Sequence, residues 1–197
     1  MSTRPPAPRA ERADAARNRE RILQAAERLF AERGVEAVSM DAIAEAAGVG
    51  KATLFRRFGD RAGLALALLD ARERDLQGLM LRGDPPLGPG APAEERLVAF
   101  IGALVDLLEA HTDLVVASET APPGARYRSG LYATYHMHVR LLVAEARGPG
   151  ADADALAELL LAPLAGEHYR HLRRERGMPV ERIKAALADL ARHALRR

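Results

Sequence analysis

Lys51, Thr53, Arg56, Arg57 and Arg61 follow closely on a glycine-containing turn, with Ser39 upstream and Ala52 and Phe55 interleaved. These side chains suit nucleic acid. Fixed cations neutralise phosphates, and side chains at the start of an exposed helix can approach base edges. A second group, Tyr127, Tyr132, Tyr135, His136 and His138, alternates with Leu131, Met137, Val139, Leu142 and Val143. Such a pattern lines an apolar cavity with a few orienting polar groups, or else fills an ordinary helical core with satisfied hydroxyls and imidazoles. His111 and Glu119 are weaker candidates for the same cavity. His168 and His171, three apart, are metal ligands in principle, but they lie among arginines without a third ligand, and a solvated helix face fits better.

The elements that must position the first group can be built from local rules. Ser39 is an N-cap, Asp41 lies in the first turn where the helix dipole favours an anion, and Met40, Ile43, Ala44 and Ala47 form an apolar stripe. Gly48 can take the left-handed conformation that ends a helix, Val49 is an apolar plug, and Gly50 turns the chain into a second helix over 51–58. There Leu54 and Phe58 face inward, leaving the cations around the outer surface. Two short helices joined this way present the second to the major groove.

The flanks extend the pattern. Ile22, Leu23, Ala26, Leu29 and Phe30 predict a helix from about 16 to 33, ended by Gly34. Asp60 predicts the cap of a long helix carrying Leu64, Leu68, Ala71 and Leu79. With the order helix, helix-turn-helix, long connecting helix in place, the stretch RILQAAERLFAERGVEAVSMDAIAEAAGVGKATLFRRFGDRAGL resembles the TetR family of bacterial transcriptional regulators, over roughly residues 17 to 68.

That resemblance implies that Ser39 caps the first motif helix and can touch a phosphate, that Gly48 and Val49 form the turn, and that Lys51, Thr53 and Phe55 lie on the recognition helix. It places Arg61 at the start of the connecting helix, close to the DNA backbone. Two positions depart from the family pattern. Phe55 stands where a Tyr usually bonds a phosphate, so that contact is lost, although the ring can still pack on sugar or a thymine methyl. Arg61 replaces a frequent Lys, keeping the charge and adding a planar fork.

Composition is consistent with an all-α protein. The chain of 197 residues is long enough for a substantial core, has no Cys, and shows no alternating run rich in Val, Ile or Thr. Disulfide frameworks, thiolate metal sites and thiol redox chemistry are excluded, and no cofactor is called for. With no apolar N-terminal core and no membrane-length apolar stretch, a soluble, cytoplasmic protein without a membrane partner is expected. No nucleophile elbow, phosphate loop, H-E-x-x-H pair or paired carboxylates appear, so catalysis is not expected. The net charge of +2 is small, but residues 1–61 hold 12 Lys and Arg against 9 Asp and Glu, whereas 62–197 hold 17 against 18. The basic surplus accompanies the motif. Arg4, Arg9 and Arg12 fall in a Pro-rich stretch over 1–15, read as a disordered basic arm that either enters a minor groove or is a solvated tail.

Residues 16–62 are thus expected to form a three-helix DNA-binding domain with the helix-turn-helix, and 63–197 a helical effector-binding and dimerisation domain. After a Pro- and Gly-rich break at 83–92, helices are predicted over 93–110, 112–120, 125–147, 152–176 with a kink at Pro163, and 179–196. Ile183, Leu187, Leu190 and Ala194, with Leu156, Leu159, Leu160 and Leu164, form apolar stripes that either fill the chain's own core or pack in an intermolecular four-helix bundle. The family resemblance, in which the corresponding helices dimerise, favours the homodimer. It also implies a palindromic double-stranded DNA operator and a repressor released by a small-molecule effector, with Tyr127, Leu131, Tyr132, Tyr135 and His138 as the effector's contacts. A DNA-binding regulator without a small-molecule ligand, partner-controlled or activating, is the alternative.

Overall fold

The computed structural model describes residues 9–35, 37–120 and 124–196, with the side chains of 9–12 excepted. Among the described residues all regular structure is helical. The chain divides into two compact units between Asp70 and Ala71, inside its fourth helix.

The first unit contains α1 (Arg9–Arg33), α2 (Met40–Ala47), α3 (Lys51–Phe58) and the start of α4 (Arg61–Arg82). The stripe Ile22, Leu23, Ala26, Leu29 and Phe30 of α1 is buried, as its spacing predicts. Ile43 of α2, Leu54 of α3 and Leu64 of α4 complete the core with no exposed surface, each contributing about 2 kcal/mol of transfer free energy. α1 begins at Arg9, so residues 9–15 are helical where the proline content predicts an unstructured arm. Beyond Pro8 the sequence RAERADAA consists mostly of good helix formers, and their propensity prevails. Arg4 and the side chains of Arg9 and Arg12 lie outside the described residues.

The second unit comprises the rest of α4, then α5 (Ala93–Thr120), α6 (Ala125–Arg128), α7 (Gly130–Arg147), α8 (Ala153–Leu161), α9 (Gly166–Arg170) and α10 (Val180–Leu195). α4 buries Leu68, Leu69, Leu76 and Met80, whereas Leu79, expected in the core, faces outward. Leu79 lies about 100° around the helix from Met80, which takes the inward position. The two helices expected over 93–110 and 112–120 meet within α5 at His111, whose φ of −135° and ψ of 27° are not helical and kink the element there.

The single helix expected over 125–147 is instead two. Ser129 adopts extended backbone, φ −76° and ψ 141°, and its Oγ accepts the Tyr132 N–H at 3.1 Å, so it caps a new helix rather than continuing the old one. Over 152–176, α8 gives way to a 3-10 turn at Ala162–Leu164 containing Pro163, then to α9 and a π turn at His171–Glu175. A proline inside a helix lacks the donor for the ladder and crowds the preceding turn. Pro179 precedes α10 as its N-cap.

Candidate nucleic-acid interface and buried polar cluster

The helix pair is shaped by its punctuation. Ser39 Oγ accepts the Ala42 N–H at 3.2 Å, starting α2. Gly48 is left-handed, φ 62° and ψ 42°, and the Gly48 and Val49 N–H groups bond Glu45 O at 3.1 Å and Ala44 O at 3.0 Å. A side chain at Gly48 would be strained by that backbone alone. Gly50 caps α3 through its carbonyl, which accepts from Thr53 and Leu54 at 2.9 and 3.2 Å. Asp60 then starts α4, its Oδ1 accepting the Gly63 N–H at 2.8 Å. A Cβ on Gly63 would stand 2.2 Å from the Phe58 carbonyl oxygen, so only glycine lets the end of α3 lie this close to α4.

This scaffold turns Leu54 inward and leaves Lys51, Ala52, Phe55, Arg56 and Arg57 exposed, with Thr53 and Arg61 half-buried. Their charges are not equally available. Lys51 Nζ lies 2.5 Å from Asp41 Oδ2. Arg57 Nη1 donates to the Ala15 carbonyl at 2.9 Å, and Arg61 has a partner of its own. Arg56 is exposed on the same helix, and Phe55 shows 46% of its surface, an uncommon exposure for a phenyl ring in a short helix. Ser39 is exposed beside them. The arrangement offers phosphate-binding cations, a threonine hydroxyl and an apolar ring on one short helix.

In the second unit the predicted effector residues separate. Tyr127 sits on α6, 65% exposed, with its ring edge-on to Tyr132 at 5.2 Å between centroids. It does not share a helix face with Tyr135 and His138, because Ser129 breaks the helix between them. Leu131 is half-buried. Tyr132 is buried and its hydroxyl donates to Glu158; burial and that carboxylate hold the phenol protonated well above its ordinary range. His136 Nε2 lies 3.5 Å from Glu158 Oε1 and 3.8 Å from Asp154 Oδ1.

Tyr135 and His138 do come together. Both are buried, and both pack on the Phe100 ring, with centroids 5.3 and 5.2 Å away. Tyr135 Oη, His138 Nε2 and Arg96 Nε are buried without a hydrogen-bond partner. Burial, with a smaller push from the Arg96 charge, lowers the His138 pKa to about 4, so its imidazole is neutral at neutral pH. Burial and then Glu73 push the Tyr135 phenol up. Arg96 was not legible as part of this group, since AEERLVAF reads as an ordinary amphipathic turn. Its spacing of four from Phe100 is the signal that places it on the same face.

Glu119 and Arg126 instead form a part-buried ion pair. Arg126 also donates to the Leu161 and Leu164 carbonyls at 3.0 and 3.3 Å, and Glu119 Oε2 accepts the Gly166 N–H at 2.7 Å. His111 is buried at the bend of α5 and has a partner. His168 is exposed, and His171 Nδ1 lies 2.7 Å from Glu175 Oε2.

Of the predicted dimer residues, Ile183 and Leu160 are buried within the chain's own core, Leu156, Leu187 and Ala194 are half-buried, and Leu190 is 48% exposed. Leu159 on α8 is 68% exposed. Ala191 and Leu195 join Ile183 on the inward face of α10.

Comparison with known proteins agrees with this anatomy. The family model for bacterial regulatory proteins of the tetR family matches residues 22–68. An HTH-type transcriptional regulator of Staphylococcus aureus (strain bovine RF122 / ET3-1) is 45% identical over 65 residues, which are 33% of this chain and 34% of that protein. The chain thus aligns with about a third of the length of the curated relatives it matches (34%). Among solved structures, a transcriptional regulator from Saccharomonospora viridis in complex with choline is 27% identical, with a TM-score of 0.67 over 89% of this chain and 95% of that one. A TetR-family transcriptional regulator from Rhodococcus sp. is 20% identical, with a TM-score of 0.65 over 92% and 100%, a likeness of fold. Such regulators are not enzymes. The helix-turn-helix over residues 22–68 thus matches the tetR family of bacterial regulatory proteins in sequence, and the whole chain is similar to such regulators in fold.

Proposed function

We propose that this chain is a sequence-specific DNA-binding regulator, and a repressor released from its operator by a small-molecule effector. The observation that carries the DNA-binding reading is the α2–α3 pair, in which Lys51, Thr53, Phe55, Arg56 and Arg57 project from one short helix over a glycine-capped turn. In the complex Lys51, Arg56, Arg57 and Arg61 neutralise phosphates, Ser39 donates to one, and Ala52, Thr53 and Phe55 approach the bases. Residues 16–62 act as the reading head, and 63–197 as the effector-binding and dimerising part.

Two supports favour effector control. Three polar atoms, on Arg96, Tyr135 and His138, are buried around a phenyl ring without partners, which a folded core ordinarily avoids. The similar regulator from Saccharomonospora viridis was solved with a small molecule, choline. An effector acts by binding unequally to two states of the dimer, only one of which spaces its recognition helices for the operator. Homodimerisation rests on the outward apolar residues Leu159 and Leu190, flanked by the half-buried Leu156, Leu187 and Ala194, and gives the operator its twofold symmetry.

The test is selection of bound sequences from random duplex DNA by the purified chain at moderate salt, where nonspecific binding by basic proteins is suppressed. Enrichment of one inverted repeat is expected. A single unrepeated site would reject the symmetric dimer, and no enrichment would reject sequence-specific reading by the chain alone.

A further inference from the structure

Arg96 and Phe100 lie four apart on α5, and Tyr135 and His138 three apart on α7, so each pair shares a helix face, and the Phe100 ring touches both residues of α7. The polar atoms of this cluster are chemically one-sided. A guanidinium Nε–H only donates. The Tyr135 hydroxyl, held protonated by burial, has its proton to give. His138, neutral at Nε2 or Nδ1, adapts to either role. Of the other charges bearing on Tyr135, Arg126 is paired with Glu119 and Glu73 already has a partner. The charge left to be complemented beside the ring is therefore the cation on Arg96.

We propose that the Arg96, Tyr135 and His138 cluster, closed over the fully buried Phe100 ring in this structure, opens to bind a carboxylate-bearing small molecule with an apolar or aromatic body, the carboxylate accepting from Arg96 and Tyr135 and the body packing against the phenyl ring. This rests on the reading of the second unit as effector-binding, and it names the ligand class for that site. A quaternary ammonium head is disfavoured here because it would meet the Arg96 cation without a free carboxylate to offset it. An alcohol of the same shape would leave that cation uncompensated.

Three probes with one body and different heads test this: 3-phenylpropionate, 3-phenylpropan-1-ol and trimethyl(3-phenylpropyl)ammonium. Each is titrated into the full-length chain without DNA, following the His138 imidazole resonances, assigned by their loss in His138→Gln. The acid is expected to bind at least about tenfold tighter than the alcohol, the scale of one charge-assisted contact, and the ammonium to leave the resonances unmoved. Arg96→Gln should bring acid and alcohol within about twofold of each other, since the preference then loses its cation. Arg96→Lys keeps the charge, should keep the preference, and serves where Arg96→Gln fails to fold. An alcohol or ammonium that binds as tightly as the acid overturns the proposal, as does a preference that survives Arg96→Gln, or a His138 signal that none of the probes moves. None of these results depends on operator binding. Release of the operator by a compound that leaves His138 unmoved would keep the regulator and reject this site, whereas a preference for the ammonium would keep the site and reject its ligand class.

Discussion

Lys51, the first residue of α3, holds Asp41 of α2 at 2.5 Å. Both side chains are more than half exposed, so the pair adds little to folding, about 0–1 kcal/mol at most. Its importance lies in what happens when phosphate competes for the same ammonium.

If Lys51 leaves Asp41 for a DNA phosphate, the carboxylate must take up a cation as the DNA releases one. Asp41→Asn removes that uptake. The expected result is a steeper dependence of log affinity on log salt, by about 0.9, together with tighter binding at low salt. Fluorescence anisotropy on the selected operator at several salt concentrations measures both. An unchanged slope would mean that Lys51 stays with Asp41 in the complex.

Gly63 faces the Phe58 carbonyl so closely that a methyl group cannot enter without moving backbone. Gly63→Ala should destabilise the first unit by about 1–3 kcal/mol, the usual cost of overpacking, and weaken operator binding by displacing α3. Urea unfolding followed by circular dichroism gives the first number and anisotropy the second. A neutral Gly63→Ala would show that α3 and α4 can separate there without penalty.

Leu159 and Leu190 are the outward apolar residues of α8 and α10. Leu159→Glu with Leu190→Glu should yield monomers by analytical ultracentrifugation with little loss of intrinsic fold. Ile183→Ala should instead cost about 2–4 kcal/mol, because Ile183 fills the chain's own core. A dimer that survives the double substitution would place the interface elsewhere.

His138 makes stability depend on pH with a definite sign. Its folded pKa of about 4 lies below the ordinary 6.5, so the unfolded chain takes up the proton first. The contribution is present above pH 6.5 and is lost as pH falls toward 4, about 2 kcal/mol of it between pH 7 and pH 5. His138→Gln should flatten that limb of a urea-midpoint titration. An equally steep limb in the variant would assign the acid sensitivity to other groups.

The first unit was legible because its rules are local. Ser39, Gly48 and Asp60 act within four residues of themselves, and the α1 stripe repeats at a single period. The second unit was less legible, because its decisive contacts join distant segments. Gly130 directly after Ser129 is a turn signal, but the helical spacing of apolar residues over 125–147 outweighs it in sequence, and in the fold Ser129 caps a new helix. Tyr127 thereby left the helix that carries Tyr135. Leu79 and Ile183 show the same limit from another side: helical spacing identifies a stripe, but the packing partners decide which edge of it is buried.

The Arg126 guanidinium reaches Glu119 and the carbonyls of Leu161 and Leu164, while Glu119 also takes the Gly166 amide. Loss of the arginine alone leaves a part-buried carboxylate without its cation, and loss of the glutamate alone leaves a part-buried cation; either costs more than losing both to apolar residues of similar volume. Positions 119 and 126 are therefore bound to one another in descent. Lineages related to this chain are expected to keep the two or exchange them together, the singly changed intermediate being the less stable form.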